Sequence, residues 1–377
     1  MARLSRVEVF APDEIAIVHV MNRTVRRCFL MGNDPLTGKN YDHRKCWLEN
    51  ELVRLAAQFG IDLLCQAILD NHFHLVLRSR PDVVATWDDR EVARRWLMLC
   101  PLRKNDAGQA EEPNEFELNS IQNNPSKLAT IRSRLSDISW WMRLLCQKVA
   151  QRSNRDDREI GKFWQARFRA VRLLDEASIL ACAAYVDLNP IRAAIAQTLE
   201  QSNFTSVQKR IRDLQESVVQ VADPHRSAQE IDGPSSSNSA RDRSLQPTSP
   251  SASDASYLSP LEIDERLDAV GPRSHRQGRR CSDKGFLPLT TAAYVELLDW
   301  TARQIRSDKR GSTPLSLQPI FDRLGIGVEA WCGLVKDFGR LFYAMAGKPH
   351  EIDARRSRDG RHRYKTKRQS RELLAVA

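Results

Sequence analysis

Two histidines separated by a single residue carry the clearest chemical signal in the chain. His72 and His74 lie in the run NHFHLV at 71–76. On a β-strand, residues two apart point to the same face, so the two imidazoles would stand side by side while Phe73 and Leu75 pack into the core behind them. Paired imidazoles of this kind can bind a metal ion. For this motif alone, ordinary surface or core histidines remain the simpler alternative.

A tyrosine and an asparagine four residues apart form the second signal. Tyr185 and Asn189 belong to the segment YVDLNPIR at 185–192. A helix brings residues four apart onto one face, so a hydroxyl and an amide oxygen would point the same way. Two imidazole nitrogens and one amide oxygen would suit Mg²⁺ or Mn²⁺ and leave positions open for phosphate oxygens. The alternative is that Tyr185 is an ordinary residue of an amphipathic helix that the Asn189-Pro190 pair simply ends.

These two signals occur together with two further motifs. HVMNR at 19–23 lies on the expected first strand, and FWQARF at 163–168 precedes the tyrosine segment. In this combination, the chain resembles the HUH tyrosine transposases, in particular the REP-associated tyrosine transposases. The resemblance covers roughly residues 10–205, apart from the insertion that follows Ser79.

The resemblance implies metal-dependent cleavage and rejoining of single-stranded, hairpin-bearing DNA. His72 and His74, with Asn189 as the third ligand, would hold Mg²⁺ or Mn²⁺, and the ion would polarise the scissile phosphate. Tyr185 would be the nucleophile, and its product would be a 5′-phosphotyrosine that a free 3′-hydroxyl can reverse. The chain has no Gly-x-x-x-x-Gly-Lys phosphate loop, which agrees with a reaction that needs no ATP. Because minimal members of the family can pair, a homodimer is one expectation.

A basic stretch that contains aromatic residues is the candidate DNA-binding surface. Between positions 151 and 172, the basic residues outnumber the acidic ones. Trp164 or Phe168 could stack an unpaired base, although core packing is the simpler expectation for both and for Phe163. A solvated surface is the alternative for the cations. Five of them are candidates for phosphate contacts: Arg152, Arg155, Lys162, Arg167 and Arg169.

Composition and charge are compatible with a DNA partner. The 377 residues include 58 Lys and Arg against 48 Asp and Glu, and the resulting net charge of +10 favours a polyanionic partner. With 41% hydrophobic and 28% charged residues, fibrous and wholly disordered classes are excluded. No apolar run approaches the ~20 residues of a membrane span. The eight cysteines are scattered and form no Cys-x-x-Cys pair, so we expect a cytoplasmic protein. With DNA as its partner it would be nucleoid-associated, and we expect no membrane partner.

Residue periodicity predicts the elements that must position these side chains. Four apolar runs predict strands, at 14–21, 61–69, 72–78 and 166–173. Three stretches with helical spacing predict helices, at 47–59, at about 127–151 and from an N-cap at Asp175 to about Asn189. The order βαββαβα indicates an α+β fold, a ferredoxin-like antiparallel sheet with helices on one face.

Composition also divides the chain into regions. A transposase-like catalytic domain is expected at 1–215, with a polar insertion at about 80–125. Residues 216–259, rich in Ser, Pro and Asp in their second half, are expected to be a flexible linker. Apolar periodicity returns at 260–348 and predicts a small helical accessory domain. Residues 349–377 carry more basic than acidic side chains and are expected to form a mobile basic tail that adds salt-sensitive affinity for DNA.

Two other functions are compatible with the sequence. A non-catalytic nucleic-acid-binding regulator would keep the fold, with His72, His74 and Tyr185 as relics. A metal-dependent hydrolase would use the histidine pair and would not need Tyr185. Every position that the transposase chemistry needs holds a competent residue, which favours the enzyme. Replacing Tyr185 by Phe separates the two enzymes, since a hydrolase would remain active and a strand transferase would lose its covalent adduct with DNA.

Overall fold

A five-stranded β-sheet organises the part of the chain that the structure describes. The computed structural model describes residues 6–25, 31–35, 37–222, 255–264, 275, 277–305, 313–360, 364 and 366–375. The strands are β1 (Ile17–Arg23), β2 (Ile61–Ile68), β3 (His72–Ser79), β4 (Arg169–Leu173) and β5 (Met345–Ala346). They lie in the order β2-β3-β1-β4-β5. The first four pair antiparallel, and β5 runs parallel to β4.

The first four strands and the helices between them follow the order predicted from the sequence. Helix α2 (Asp42–Gln58) connects β1 to β2, and helix α7 (Ile138–Asp157) precedes β4. The two helices contact each other on one face of the sheet, where Leu52 shares a core with Val20 and Leu75. This arrangement confirms the predicted α+β, ferredoxin-like fold.

The opposite face of the sheet is covered by helices from the second half of the chain. Helix α8 (Glu176–Asp187) and helix α13 (Val328–Leu341) share a second core with Val76, Val171 and Leu173. Side chains alternate along each strand, so these three residues point away from α2 and α7. The sheet therefore carries helices on both faces and not on one face as the sequence predicted, because the apolar residues of α8 and α13 also need a surface to pack against.

The single helix predicted at about 127–151 is two helices in the structure. Helix α6 (Pro125–Leu135) ends, and α7 begins after a gap of two residues. The break lies at Asp137, whose carboxylate accepts a hydrogen bond from the backbone N–H of Ser139 at 2.6 Å. Such a cap satisfies a donor at the start of a helix, so Asp137 favours a new start over continuation.

The insertion at about 80–125 is polar in sequence, yet it folds against the core that contains α2. Its helices are α3 (Pro81–Ala85), α4 (Asp89–Leu99) and α5 (Glu115–Gln122). The apolar residues of these helices are buried in the same core as α2, among them Leu97, Leu118 and Ile121.

The region predicted as a small accessory domain, 260–348, packs directly on the sheet. It contains α11 (Thr291–Ile305), α12 (Gln318–Leu324) and α13, and Met345–Ala346 adds the fifth strand. The apolar residues of these helices belong to the same core as α8. An amphipathic helix must bury its apolar stripe, and the face of the sheet opposite α2 and α7 provides the surface for it.

The predicted linker, 216–259, is described only at its two ends. Its middle, residues 223–254, lies outside the described residues. The first end belongs to helix α10 (Ser206–Ala222). Three residues at the second end are buried in the core that contains α2: Ala255, Tyr257 and Leu258.

The basic tail, 349–377, forms two helices. These are α14 (Pro349–Arg358) and α15 (Arg368–Leu374). For these helices, the prediction of a mobile tail is wrong because their cations find acidic partners. Arg355, for example, donates a hydrogen bond to the carboxylate of Glu14 at 3.1 Å.

Two short helices complete the description. They are α1 (Arg6–Val9) and α9 (Asn189–Arg192). Helix α9 follows α8 closely but is a separate helix, because Pro190 has no backbone N–H with which to continue the hydrogen bonds of α8. No helix within the described ranges is long and apolar enough to cross a membrane.

Candidate active site

Strand β3 places the two predicted histidines next to each other. Its alternation buries Phe73 and Leu75 in the core beneath α2 and turns His72 and His74 to the opposite face. The ring centroids of His72 and His74 lie 5.0 Å apart. His74 is fully buried, and His72 is partly buried. The prediction that the two imidazoles stand side by side is confirmed.

A third histidine, His19 on β1, joins this pair. The antiparallel register sets Met21 opposite His74 and His19 opposite Val76, so His19 is a diagonal neighbour of His74 on the same face. The Nε2 atom of His19 lies 2.9 Å from Nδ1 of His74, which is a hydrogen-bond distance. The sequence motif at 19–23 contains His19, but its role depends on the strand register, which the sequence does not specify.

The hydrogen bonds of the histidines leave ring nitrogens available for a ligand. Nδ1 of His72 lies 2.6 Å from the side-chain oxygen of Asn71, which can only accept, so this nitrogen donates and Nε2 keeps its lone pair. Nε2 of His74 is buried and has no hydrogen-bond partner. When that atom is unprotonated, Nδ1 of His74 donates to Nε2 of His19. Histidines that bind metals typically donate their second ring N–H in this way.

Burial keeps all three imidazoles neutral. Desolvation lowers the pKa of His72 to about 4, with a further contribution from the charge of Arg23. Desolvation, helped by Arg169, lowers the pKa of His19 to about 3. The pKa of His74 is also well below its ordinary value, first because of burial. At neutral pH the group is therefore uncharged, which is the state of histidine that binds metal ions.

Helix α8 brings Tyr185 to the histidines. Its start is the predicted one, because the Asp175 carboxylate accepts a hydrogen bond from the backbone N–H of Ser178 at 2.8 Å. Tyr185 lies in the last turn of the helix and is buried. The centroid of its ring is 5.3 Å from that of His74, edge to face. The guanidinium carbon of Arg192 lies 4.5 Å from the centroid of the same ring.

Asn189 lies one turn after Tyr185, at the first position of α9. The expected end of the tyrosine helix before Pro190 is confirmed, since α8 ends at Asp187. Asn189 is buried. Within the described residues, no hydrogen bond joins its side chain to His72 or His74, so its role as a metal ligand stays a prediction.

The side chains around His72 and His74 could bind a divalent ion only if an amide oxygen joins them as a ligand. Among the residues that the structure describes, no three His, Cys, Asp or Glu side chains are grouped so that they could hold a metal ion. The buried, unpartnered Nε2 of His74 is nevertheless what a metal ligand offers. His72 and His74 would supply two nitrogens, and Asn189 is the candidate for an oxygen ligand.

A cavity of about 630 Å³ lies beside Tyr185. Its lining comes from β1, β4, α8, α9, α11 and α13 and from the segment just before β4. His19 borders the cavity, while His72 and His74 lie outside its lining, and Asp337 is its one acidic lining residue. Five cationic side chains line it: Arg23, Arg169, Arg192, Lys336 and Arg340. A concentration of positive charge next to a hydroxyl group suits a phosphate.

Only one of the five predicted DNA contacts lies in this cavity. Arg169, on β4, borders it together with Tyr185. The others are exposed, and the guanidinium of Arg152 covers the ring of Trp47 at 4.0 Å. Their role in DNA binding stays a prediction for all four: Arg152, Arg155, Lys162 and Arg167.

The aromatic residues of the basic stretch belong to the core. Phe163 and Phe168 are buried. The ring of Trp164 packs edge-on against Phe73 at 5.5 Å, and its indole N–H donates to the backbone oxygen of Cys146 at 2.8 Å. These contacts agree with core packing, which was the simpler expectation, and leave no open ring face for base stacking on Phe163.

Several residues of the cavity have no counterpart among the sequence predictions. Arg192 follows Tyr185 by seven residues, and this spacing of two helical turns could have marked it. Lys336, Gly339 and Arg340 lie about 150 residues further along the chain. No local pattern links them to Tyr185, so only the tertiary structure reveals them.

Comparison with known proteins gives one distant likeness. No family model and no curated protein matches the chain. Among solved structures, it is similar to a REP-associated tyrosine transposase bound to a REP hairpin, with a TM-score of 0.30 and 12% sequence identity. The match covers 61% of this chain and 93% of the other. Because the likeness is distant, the function has to be argued from this chain's own residues.

Proposed function

We propose that the protein is a metal-dependent endonuclease and strand transferase for single-stranded DNA, with Tyr185 as its nucleophile. The observation that carries this proposal is the meeting of Tyr185 with the histidine pair. The centroid of the Tyr185 ring lies 5.3 Å from that of His74, whose ring centroid is 5.0 Å from that of His72. These residues come from β3 and α8, more than a hundred positions apart in the sequence.

The histidines supply the metal-binding part of the site. His72 and His74 would hold Mg²⁺ or Mn²⁺, with Asn189 as the third ligand. When bound, the ion would neutralise the charge that develops on the phosphate. In the tautomer of His74 whose Nε2 is free for a metal, Nδ1 donates a hydrogen bond to Nε2 of His19, and this bond would hold the ring in the orientation that binding needs. Burial keeps these rings neutral, so no proton has to be displaced before binding.

Tyr185 carries out the bond exchange. Its phenolic oxygen forms a bond to the phosphorus of a DNA phosphodiester, and the bond from phosphorus to the 3′-oxygen breaks. The tyrosine proton leaves to solvent, the departing strand takes a proton as its 3′-hydroxyl, and the other strand remains as a 5′-phosphotyrosine. Attack by a 3′-hydroxyl on this ester reverses the exchange and releases Tyr185, so no nucleotide cofactor is required.

Cations around the site would bind the DNA backbone. Arg169 lies in the same cavity as Tyr185, and Arg192 covers the tyrosine ring. The exposed residues on α7 and in the segment that follows it would guide the strand toward the cavity through phosphate contacts: Arg152, Arg155, Lys162 and Arg167. We propose a hairpin-bearing single strand as the substrate.

The test uses labelled, hairpin-bearing single strands with Mg²⁺, Mn²⁺ or EDTA, followed by a denaturing gel. We expect a metal-dependent, protein-linked DNA band that Tyr185→Phe abolishes. The matched control is Tyr343→Phe, because Tyr343 is exposed and does not line the cavity beside Tyr185. Cleavage that persists in Tyr185→Phe would indicate the hydrolase. Tight binding with no linked band on any strand would indicate the non-catalytic regulator.

A further inference from the structure

One turn of α13, from Lys336 to Arg340, forms the wall of the cavity that faces Tyr185. Phe338 in this turn packs against the tyrosine, with ring centroids 5.7 Å apart. Its ring also meets the edge of His19, at 6.1 Å between centroids. The turn therefore contacts the nucleophile and the histidine group together.

Gly339 shows how closely α13 approaches the tyrosine. A Cβ atom at this position would lie 2.6 Å from the hydroxyl oxygen of Tyr185 and 3.2 Å from Cζ. Glycine is unfavourable inside a helix compared with alanine. Its presence here allows the hydroxyl group to lie directly against the helix backbone.

Arg192 contacts both this turn of α13 and the ring of Tyr185. Its guanidinium donates a hydrogen bond to the backbone oxygen of Lys336. The same guanidinium covers the ring of Tyr185 at 4.5 Å. Helices α9 and α13 are thus joined at the nucleophile, and the position of α13 is fixed relative to the cavity.

Few acidic side chains neutralise the positive charges on this wall. Lys336 and Arg340 are exposed, and Lys336 makes no ion pair with any described residue. The nearest carboxylate oxygen to the Arg340 guanidinium is that of Asp337, at 4.0 Å. Arg23 and Arg169, from strands of the sheet, line the same cavity. Cations from α13 and from the sheet therefore line one cavity, and this concentration of positive charge suits a polyanionic strand.

We propose that α13 is the second wall of the DNA-binding site, with Lys336 and Arg340 contacting backbone phosphates of the single strand next to the bond that Tyr185 attacks. This inference rests on the proposed function for the position of that bond. It assigns DNA binding to a helix that the sequence places outside the catalytic domain. A cavity of about 630 Å³ lined by these cations is large enough for a nucleotide of the strand.

The experiment measures the affinity of the full chain for a labelled single strand over a range of salt concentrations. The test variant is the double substitution Lys336→Gln and Arg340→Gln. The matched control is Arg303→Gln with Arg323→Gln, two exposed cations of the same region that do not line the cavity. Thermal unfolding confirms that both variants are folded.

The test variant should bind about tenfold more weakly at 0.1 M salt. Its log affinity should also decrease less steeply with log salt, with a slope smaller in magnitude by about 1.4, the value for two lost phosphate contacts. The control should keep the slope of the unmodified protein. An unchanged slope in the test variant, or an equal fall in both variants, would overturn the inference.

A parallel assay for the covalent DNA adduct keeps the two proposals distinguishable. If the unmodified protein forms the Tyr185 adduct while the test variant keeps its salt slope, the role of α13 is refuted and the strand-transfer proposal stands. If the affinity of the test variant depends less steeply on salt but the unmodified protein forms no adduct on any strand, the DNA-binding role of α13 stands and the strand-transfer proposal is refuted.

Discussion

At the scale of single residues, the central contact is the hydrogen bond between His19 and His74. It occupies Nδ1 of His74 and leaves Nε2 buried without a partner. A buried nitrogen in this state is costly unless a ligand takes it, so the contact makes His19 a positioning residue for the proposed ion.

Replacing His19 should weaken metal binding. His19→Leu removes the acceptor for His74 Nδ1, and we expect Mn²⁺ affinity to fall by about 10- to 100-fold. Calorimetric titration with Mn²⁺ measures this. His43→Leu is the control, since His43 pairs with Asp156 on the other side of the sheet. Equal affinity in His19→Leu and the unmodified protein would contradict the role of His19.

Gly339 offers a test that separates stability from activity. In Gly339→Ala, the new methyl group meets the Tyr185 hydroxyl, so the tyrosine must move. We expect little net change in thermal stability, because the gain of about 1 kcal/mol in helix propensity is offset by overpacking at the buried tyrosine, and an adduct rate at least about tenfold lower. Gly333→Ala is the control, since its Cβ meets only the flexible end of Leu373. A normal adduct rate in Gly339→Ala would show that the close approach has no consequence.

At the scale of elements, helix α8 is held at both ends by carboxylates. Asp175 caps its start, and Asp187 at its end accepts hydrogen bonds from Ser206, from the backbone N–H of Val207 and from Tyr294. Asp187 is completely buried, so these bonds replace its lost hydration. They fix the turn that carries Tyr185.

Removing one of these bonds should destabilise the fold without touching the cavity. Tyr294→Phe leaves the buried Asp187 carboxylate with one donor fewer, and we expect the free energy of unfolding to fall by about 1–3 kcal/mol. Urea unfolding measures the change, with Tyr343→Phe as the exposed control. If both variants unfold at the same urea concentration as the unmodified protein, the anchoring role of Tyr294 is refuted.

The elements differ in how far the sequence predicts them. Strand β3 and the start of α8 follow from local signals, namely the alternation around His72 and His74 and the cap at Asp175. The break at Asp137 was missed because apolar spacing continues on both sides of it. The placement of α13 against Tyr185 depends on contacts between distant segments, which local periodicity does not contain.

At the scale of the whole molecule, Glu14 connects three parts of the chain. Its carboxylate accepts hydrogen bonds from Arg172 on β4 and from Arg355 on α14. These bonds and charges, with that of Arg172 the strongest, lower the pKa of Glu14 to about 2. The segment before β1, the sheet and the basic tail are therefore joined by one ionised group.

The stabilisation from Glu14 should depend on pH. Its pKa is lower in the folded chain than the ordinary value of 4.5, so its contribution is complete above that value and is lost as the pH falls toward 2. We expect Glu14→Gln to cost about 1 kcal/mol at pH 7, after allowance for solvent at this partly exposed site, and less at pH 3. Chemical unfolding at both pH values tests this. A difference that grows as the pH falls would have the wrong sign.

The central claim is that Tyr185 becomes covalently joined to DNA, and mapping the adduct tests it most directly. The full chain is incubated with a hairpin-bearing single strand and Mn²⁺, the DNA is digested with nuclease, and the peptides are analysed by mass spectrometry. We predict a nucleotide phosphate attached to the peptide that contains Tyr185, and no such mass after incubation with EDTA. Cleaved DNA with an unmodified Tyr185 peptide, or an adduct on another residue such as Tyr343, would contradict the claim.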